Sequence, residues 1–261
     1  MLLIIWDFDG TIANSERKFK NTLYDFLRYK HSGCIINLDL FTDNFYFKNC
    51  AGKKYTEMFK VLGENNIIDL NEITENELNN FLKYVTDCYK LMKPNDIVFT
   101  DGMGEFMETL NSNSNIPMAI ATSAHMEDFI QKRRALNNIV INKIDAYSCC
   151  DLLDDYQHLN LDIYKLKNKP NPAIFVYALE KALCKNKNIT RAIVIEDSSS
   201  GCAAGKNFKN YSFVKNSLND VTVIGYTAGE HKPSEKELLE SGADLISKNT
   251  KELSNIINKL L

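Results

Sequence analysis

The sequence predicts an α/β protein: a parallel β-sheet with helices on both faces, and a block of helices inserted after the first strand. Two observations lead to this fold class. Short, unbroken apolar runs, typical of strands buried on both faces, alternate with amphipathic segments of helical period. About 80 residues of helical pattern separate the first apolar run from the second, whereas an ordinary connection has about 2–6 residues. The order of elements therefore favours a three-layer α/β/α core with an inserted helical domain.

The first strand is predicted at residues 2–6, where five apolar residues stand without a break. Asp7 and Asp9 follow directly, and Gly10 comes after them. Ligands of open α/β sheets bind beyond the carboxyl ends of the strands, where both aspartates are expected. Two carboxylates this close repel each other unless a cation lies between them. The pair predicts a site for an anion held by a metal, although Asp-Gly after a strand is also an ordinary turn signal.

The inserted block is predicted to begin with a helix capped by Asn14 or Ser15. Three further helices are predicted at residues 41–47, 55–62 and 75–91. We assign residues 15–94 to this helical domain, and residues 1–14 and 95–261 to the α/β core.

Strands and helices alternate through the rest of the chain, which is typical of a parallel sheet. The further strands are predicted at residues 117–121, 144–148, 192–195, 221–226 and 243–246. Helices are predicted to begin at residues 101 and 172 and to cover residues 125–136, 201–206 and 234–240. In the helix at 125–136, Met126, Phe129 and Ile130 are expected to face inward. The segments 151–168 and 207–220 are predicted to be polar and irregular.

Composition narrows the partners of the protein. A net charge of −3 over 261 residues does not suggest a nucleic-acid or membrane-surface partner. No apolar run approaches the roughly 20 residues of a membrane span, and the apolar start lacks the basic flank of a signal peptide. Seven cysteines without regular spacing do not form a disulfide framework. We therefore expect a cytoplasmic protein with reduced thiols, a monomer or weak dimer.

Three further polar clusters adjoin predicted core elements. Thr122 and Ser123 end the second core strand, Lys169 precedes a helix, and Glu196 and Asp197 end the fourth strand. Each alone has an ordinary explanation as a helix cap, a solvated lysine or the start of a loop. A parallel sheet brings these strand ends together, and their joint occurrence therefore indicates a site.

With these residues the sequence resembles the haloacid dehalogenase superfamily of phosphotransferases, in the subgroup with a helical cap after the first motif. The resemblance rests on four motifs in the family's order, at residues 7–11, 122–123, 169–172 and 196–201. It implies a Rossmann-like core with a C1-type cap, similar to phosphoglycolate phosphatases and β-phosphoglucomutases.

The resemblance also implies catalytic roles. Asp7 would attack phosphorus, and Asp9 would protonate the leaving oxygen and later accept a proton from water. Thr122 and Ser123 would bind phosphate oxygens, and Lys169 would hold both Asp7 and the phosphate.

The cofactor implied is Mg²⁺, which takes hard oxygen ligands in an octahedron. Asp7, the backbone carbonyl of Asp9, and Asp197 would be its ligands, with Glu196 bound directly or acting through a neighbour. Several carboxylates in one cleft also require a cation on electrostatic grounds.

Substrate specificity is expected from the cap. Its loop at residues 50–54 lies where relatives carry a specificity loop, which makes Gly52, Lys53 and Lys54 candidates, together with His125 after the second core strand. The two lysines are suited to a second anionic group, and are equally well explained as solvated surface residues.

The predicted function is a Mg²⁺-dependent phosphatase acting on a small phosphorylated metabolite such as a sugar phosphate or phosphoglycolate. Two alternatives remain open. An isomerase of the β-phosphoglucomutase kind would use the same residues and return the phosphoryl group to sugar. A non-catalytic binding protein on the same scaffold would not need Asp7.

Overall fold

The structure is a computed structural model that describes residues 1–51, 53, 55–113, 116–144, 146–153, 168–230 and 233–261. The strands in these ranges are β1 (Leu2–Trp6), β2 (Ala13–Asn14), β3 (Val98–Phe99), β4 (Met118–Ala121), β5 (Tyr147–Ser148), β6 (Arg191–Glu196), β7 (Asp220–Tyr226) and β8 (Leu245–Ser247). The α-helices are α1 (Glu16–Lys30), α2 (Asp43–Asn49), α3 (Tyr55–Glu64), α4 (Glu75–Lys90), α5 (Met103–Asn113), α6 (Met126–Leu136), α7 (Ile139–Lys143), α8 (Ala173–Lys185), α9 (Ser199–Asn210), α10 (Ser212–Ser217), α11 (Glu235–Ser241) and α12 (Thr250–Leu260).

Six strands form one parallel sheet in the order β5-β4-β1-β6-β7-β8. β1 lies inside the sheet, between β4 and β6, and all five of its residues are buried. This confirms the α/β fold class and explains the unbroken apolar run, because a central strand covered on both faces has no side for polar residues.

Side chains of β1 alternate between two apolar cores, one on each face of the sheet. Ile4 and Trp6 join a core that contains residues of α5, α6 and α12, while Leu3 and Ile5 join a core built by α8, α9 and α11. Trp6 packs edge-on against Phe106 of α5, with ring centroids 6.2 Å apart. The three layers are the Rossmann-like arrangement that the sequence predicts.

The four helices α1 to α4 lie between β2 and β3, with three short 3₁₀ turns among them. Their apolar faces meet around Phe81, whose ring centroid lies 5.2 Å from that of Phe26 and 5.3 Å from that of Phe59. β2 and β3 pair in an antiparallel ribbon where the chain leaves and re-enters the core. This ribbon was not predicted, because strands of two residues carry no readable period.

Three local predictions differ from the structure. Residues 207–220 are not an irregular excursion, since α9 continues to Asn210 and α10 follows; Phe208 and Val214 are buried and hold these helices against the sheet. Ile130 does not face inward and is 47% exposed. The predicted strand at 144–148 is shorter in the structure, where β5 covers only Tyr147–Ser148. Most of the segment 151–168 lies outside the described residues.

All seven cysteines of the chain are among the described residues, and each is a free thiol. The neighbours Cys149 and Cys150 are both buried and are not joined, as the sequence predicts. Within the described ranges, every helix is too short or too polar to cross a membrane.

Candidate active site

A cavity of about 590 Å³ opens at the carboxyl ends of β1, β4 and β6. Asp7 and Thr122 lie at the first positions beyond β1 and β4, and backbone hydrogen bonds to neighbouring strands fix both residues. Asp7 N donates to Ile195 O at 3.0 Å, and Thr122 N donates to Ser148 O at 2.9 Å. Asp9, Asp197 and Lys169 also line this cavity. The sheet thus brings together residues that lie up to 190 positions apart, because parallel strands end on one edge.

On one side of the cavity, three carboxylates surround one ammonium group. Asp7, Glu196 and Asp197 are buried, and their oxygens lie within 4.8 Å of one another. Lys169 forms ion pairs with Asp7 and with Glu196, and its side chain is 6% exposed. We call these four residues the acidic cluster.

The acidic cluster is short of positive charge. Burial and the neighbouring Glu196 raise the pKa of Asp7 to about 8, although Lys169 lowers it. Burial and the neighbouring Asp7 also raise the pKa of Asp197 well above its usual value. The pKa of Lys169 is itself raised by Asp7 and Glu196, although burial lowers it. One ammonium does not neutralise three carboxylates, and a further cation would stabilise them.

The donors of the acidic cluster fit a hard divalent cation. Asp7 Oδ2 is buried and has no hydrogen-bond partner among the described residues. Gly10 has a φ of +86°, and a Cβ there would overlap the Asp197 carboxylate. Only glycine lets the turn after β1 approach Asp197 this closely. Carboxylate oxygens around an open position suit Mg²⁺ better than a soft metal.

On the other side of the cavity, Asp9 is held by hydrogen-bond donors. Its Oδ1 accepts from Ser15 Oγ and from Lys132 Nζ, the latter at 2.6 Å, and its Oδ2 accepts from Thr122 Oγ1 at 3.3 Å. Burial raises the pKa of Asp9, but the lowering by Lys132 and Ser15 is larger. The pKa of Asp9 is therefore below its usual value. We call Asp9, Ser15, Thr122 and Lys132 the Asp9 cradle.

Ser15 corrects a sequence prediction. It occupies the N-cap position of α1, yet its side chain makes no capping hydrogen bond and donates to Asp9 instead. Asn14 does not cap the helix either, because its Oδ1 accepts no hydrogen bond among the described residues, and its side-chain amide donates to Phe99 O. The N-cap residue of the first helix therefore contacts Asp9 of the first motif.

Lys132 is a site residue that the sequence reasoning missed. It is buried on the inner face of α6, on the same side as Phe129 and Leu136, and its Nζ lies 5.3 Å from the ring centroid of Tyr89 in α4. A lysine at helical spacing between two apolar positions was the available signal. The adjacent Arg133 and Arg134 obscured it, since the three together read as a solvated basic run.

The remaining predicted site residues differ in how deeply they lie in the cavity. Thr122 is buried, and its hydroxyl also accepts from Ala124 N at 3.1 Å. Ser123, Lys53 and His125 line the cavity with exposed side chains, and His125 Nδ1 lies 3.9 Å from Asp151. Gly52 and Lys54 lie outside the described residues.

The helical block lines the far wall of the cavity with a half-buried carboxyl and aromatic rings. Tyr46 OH donates to Glu16 Oε2 at 2.6 Å, and burial raises the pKa of Glu16. Tyr55, Met58 and Tyr89 complete this wall. None of these residues is predicted from the sequence as part of the site, because their meeting depends on how α1, α2, α3 and α4 pack.

A family model described as haloacid dehalogenase-like hydrolase matches residues 4–215. The chain belongs to this family. The resemblance that the four motifs indicate is thereby confirmed, and the match includes every motif. No curated protein sequence matches the chain.

Solved structures of family members resemble the whole chain. A haloacid dehalogenase family hydrolase from Deinococcus radiodurans with bound phosphate and sodium has a TM-score of 0.63 and 16% identity, covering 98% of this chain and 95% of its own. A protein from Thermotoga maritima with a provisional β-phosphoglucomutase name has a TM-score of 0.61 and 23% identity, covering 100% of both chains. A mutant of CbbY from Rhodobacter sphaeroides in complex with xylulose-1,5-bisphosphate has a TM-score of 0.62 and 17% identity, covering 94% and 92%. At these identities the likeness is one of fold.

Proposed function

We propose that the protein is a Mg²⁺-dependent phosphatase that hydrolyses a small phosphorylated metabolite, of the sugar phosphate or phosphoglycolate type, through an aspartyl-phosphate on Asp7. One observation carries this proposal. The carboxylate of Asp7 is paired with Lys169 at Oδ1, while its buried Oδ2 has no hydrogen-bond partner among the described residues. An oriented carboxylate with one oxygen left open is what a nucleophile for phosphorus requires.

Asp7, Asp197 and the backbone carbonyl of Asp9 are the proposed ligands of Mg²⁺. When bound, the ion offsets the negative charge of the phosphoryl oxygens and orients them. Glu196 is engaged by Lys169 and by Ser198 Oγ at 3.1 Å, which supports an indirect role in which it orients Lys169.

In the first step, one oxygen of the Asp7 carboxylate forms a bond to phosphorus while the bond from phosphorus to the ester oxygen breaks. Asp9, in its protonated form, gives its proton to the departing oxygen, and Lys169 stabilises the negative charge near Asp7. In the second step, Asp9 accepts a proton from a water that attacks the same phosphorus, which releases phosphate and restores Asp7. The hydrogen bonds of the Asp9 cradle support this division of roles.

We also propose that residues 15–94 act as a cap domain over the site. The wall that contains Glu16, Tyr46 and Tyr89 belongs to this block and closes one side of the cavity. A wall of this kind excludes bulk water, which strengthens the electrostatic interactions inside. Lys53 on the rim is a candidate for binding a second anionic group of the substrate.

The ligands of the structural neighbours support the substrate class. Phosphate occupies the Deinococcus protein, and a sugar bisphosphate occupies the CbbY mutant. Both ligands offer dianionic phosphoryl oxygens, the chemistry that a lysine and a divalent cation recognise.

The test is release of inorganic phosphate from a panel of sugar phosphates, phosphoglycolate and p-nitrophenyl phosphate, with Mg²⁺ or with EDTA. We expect Mg²⁺-dependent release from at least one natural ester. Interconversion of hexose phosphates with little release would instead identify an isomerase. No turnover of any ester, with Asp7→Asn retaining the biological role, would identify a binding protein.

A further inference from the structure

We propose that Lys132 is a positioning residue that fixes Oδ1 of Asp9, so that Oδ2 is the oxygen that exchanges protons with the substrate. This inference rests on the proposed phosphatase function, and it assigns a role to a lysine outside the four motifs.

The geometry of Asp9 carries the inference. Oδ1 accepts two hydrogen bonds, from Ser15 Oγ and from Lys132 Nζ at 2.6 Å, whereas among the described residues Oδ2 accepts only the longer bond from Thr122 at 3.3 Å. Rotation of the carboxylate about its Cβ–Cγ bond would break both bonds to Oδ1. The two oxygens are therefore distinguished, and Oδ2 is the one left for chemistry.

Lys132 is built into the site. Its side chain is 9% exposed, and burial of an ammonium is costly unless an anion and hydrogen bonds offset it. Asp128, one turn earlier on α6, accepts a hydrogen bond from Thr86 at 3.0 Å, and the ion pair of Lys132 is with Asp9. The ring of Tyr89 in α4 also contacts the ammonium of Lys132, whose Nζ lies 5.3 Å from the ring centroid, and limits its movement on that side. The lysine is thus held between the sheet and the helical block and directed at one oxygen.

This position is suited to both proton transfers. In the first step the bond from Asp9 Oδ2 to its proton breaks, a bond from the leaving oxygen to that proton forms, and the electron pair stays on Asp9. The Lys132 ammonium keeps its own protons and stabilises the resulting carboxylate through Oδ1. In the second step Oδ2 takes a proton from water while Oδ1 stays in place. Such prearrangement matters because small misplacements of a catalytic group reduce rates strongly.

The experiment compares Lys132→Met, Lys132→Arg and wild type on two esters. p-Nitrophenyl phosphate has a leaving group that departs without a proton, whereas β-glycerophosphate needs one. In single-turnover reactions that follow release of the leaving group, we expect Lys132→Met to slow release of glycerol from β-glycerophosphate by about 10- to 100-fold and release of p-nitrophenolate by less than about 3-fold. Steady-state kcat should fall for both esters with no rise in KM, because attack of water on the phosphoenzyme also uses Asp9. Lys132→Arg should recover part of the lost kcat, since it keeps a charged donor. Lys83→Met, an exposed lysine of α4, is the matched control and should have no effect.

Two results would overturn the inference. Equal slowing of the single-turnover release from both esters would indicate a structural role, and a higher KM with unchanged kcat would indicate that Lys132 binds the substrate anion. If Lys132→Met does not fold, Ser15→Ala decides, because it removes the other donor to Oδ1 and must show the same preference for p-nitrophenyl phosphate. Failure of the proposed function is separate, since wild type would then release no phosphate from either ester.

Discussion

Asp7 and Asp9 are two residues apart in one motif, yet the structure gives them opposite surroundings. Asp7 belongs to the acidic cluster, where burial and Glu196 raise its pKa to about 8. Asp9 belongs to the Asp9 cradle, where Lys132 and Ser15 lower its pKa against the effect of burial. Residue type and sequence position are nearly the same, and the partners brought by other elements make the difference.

The comparison shows where a cation is needed. The acidic cluster has one ammonium for three carboxylates, whereas the Asp9 carboxylate has a lysine and two hydroxyl donors of its own. A divalent ion would therefore stabilise the first group and is not required by the second. In the proposed function, the same contrast separates the nucleophile, Asp7, from the residue that transfers protons, Asp9.

The most severe test of this contrast is Asp7→Asn. We expect it to lower phosphatase turnover of p-nitrophenyl phosphate by at least about 10³-fold, because the amide does not form the phosphoenzyme. The fold should persist, since the substitution removes one charge from a crowded acidic cluster. Circular dichroism and the thermal midpoint check folding, and Asp25→Asn on the exposed face of α1 is the matched control. Metal-dependent turnover at the wild-type rate would refute the nucleophile assignment.

Asp197→Asn should have the next largest effect. Loss of a charged ligand is expected to weaken Mg²⁺ activation by about 10- to 100-fold, a range typical of altered metal sites. The activity should return in part at high Mg²⁺, which distinguishes this variant from Asp7→Asn. Titration of activity against Mg²⁺ is the measurement, and an unchanged half-activating concentration would contradict the assignment of Asp197 as a ligand.

Ser15→Ala probes the Asp9 cradle with a smaller change. We expect a loss of about 3- to 10-fold in kcat for β-glycerophosphate, because one of the two donors to Oδ1 remains. Stability should change little, since Ser15 makes no capping bond to α1. A capping role would instead cost about 1 kcal/mol of unfolding free energy, which chemical denaturation measures. Unchanged kinetics with that loss of stability would restore the capping interpretation.

The smallest effect expected is a pH dependence of stability in metal-free protein. Asp7 has a pKa near 8 when folded and a usual value of 3.8, so between these values the folded state binds more protons than the unfolded state. Its contribution to stability therefore falls as pH rises from about 4 to 8. Mg²⁺ should raise the thermal midpoint more at pH 8 than at pH 5.5, by roughly 2–4 °C for each kcal/mol of difference. Asp7→Asn should reduce this difference between the two pH values. An equal effect of Mg²⁺ on the thermal midpoint at both pH values in wild type would contradict the proposal that protons and Mg²⁺ compete for Asp7.

The sequence by itself determined the sheet and the location of the acidic cluster. The run at residues 2–6 predicts a fully buried strand, and the chain positions of Asp7, Thr122 and Asp197 directly after strands predict that they meet at one edge. Both inferences are local, because they need only a period of side chains and the rule that parallel strands end together. The family follows from the same motifs.

Only the tertiary structure decided how the site is completed. Lys132 reaches Asp9 because one face of α6 packs against the sheet, and Ser15 turns toward Asp9 although its position is that of a helix cap. Glu16 meets Tyr46 only through the packing of α1 against α2. No local pattern encodes these contacts, since each depends on the angle at which two distant elements meet. For that reason the sequence identified the charges at the strand ends and the pairing of Lys169 with Asp7, and the fold alone determined that Asp9 faces Lys132.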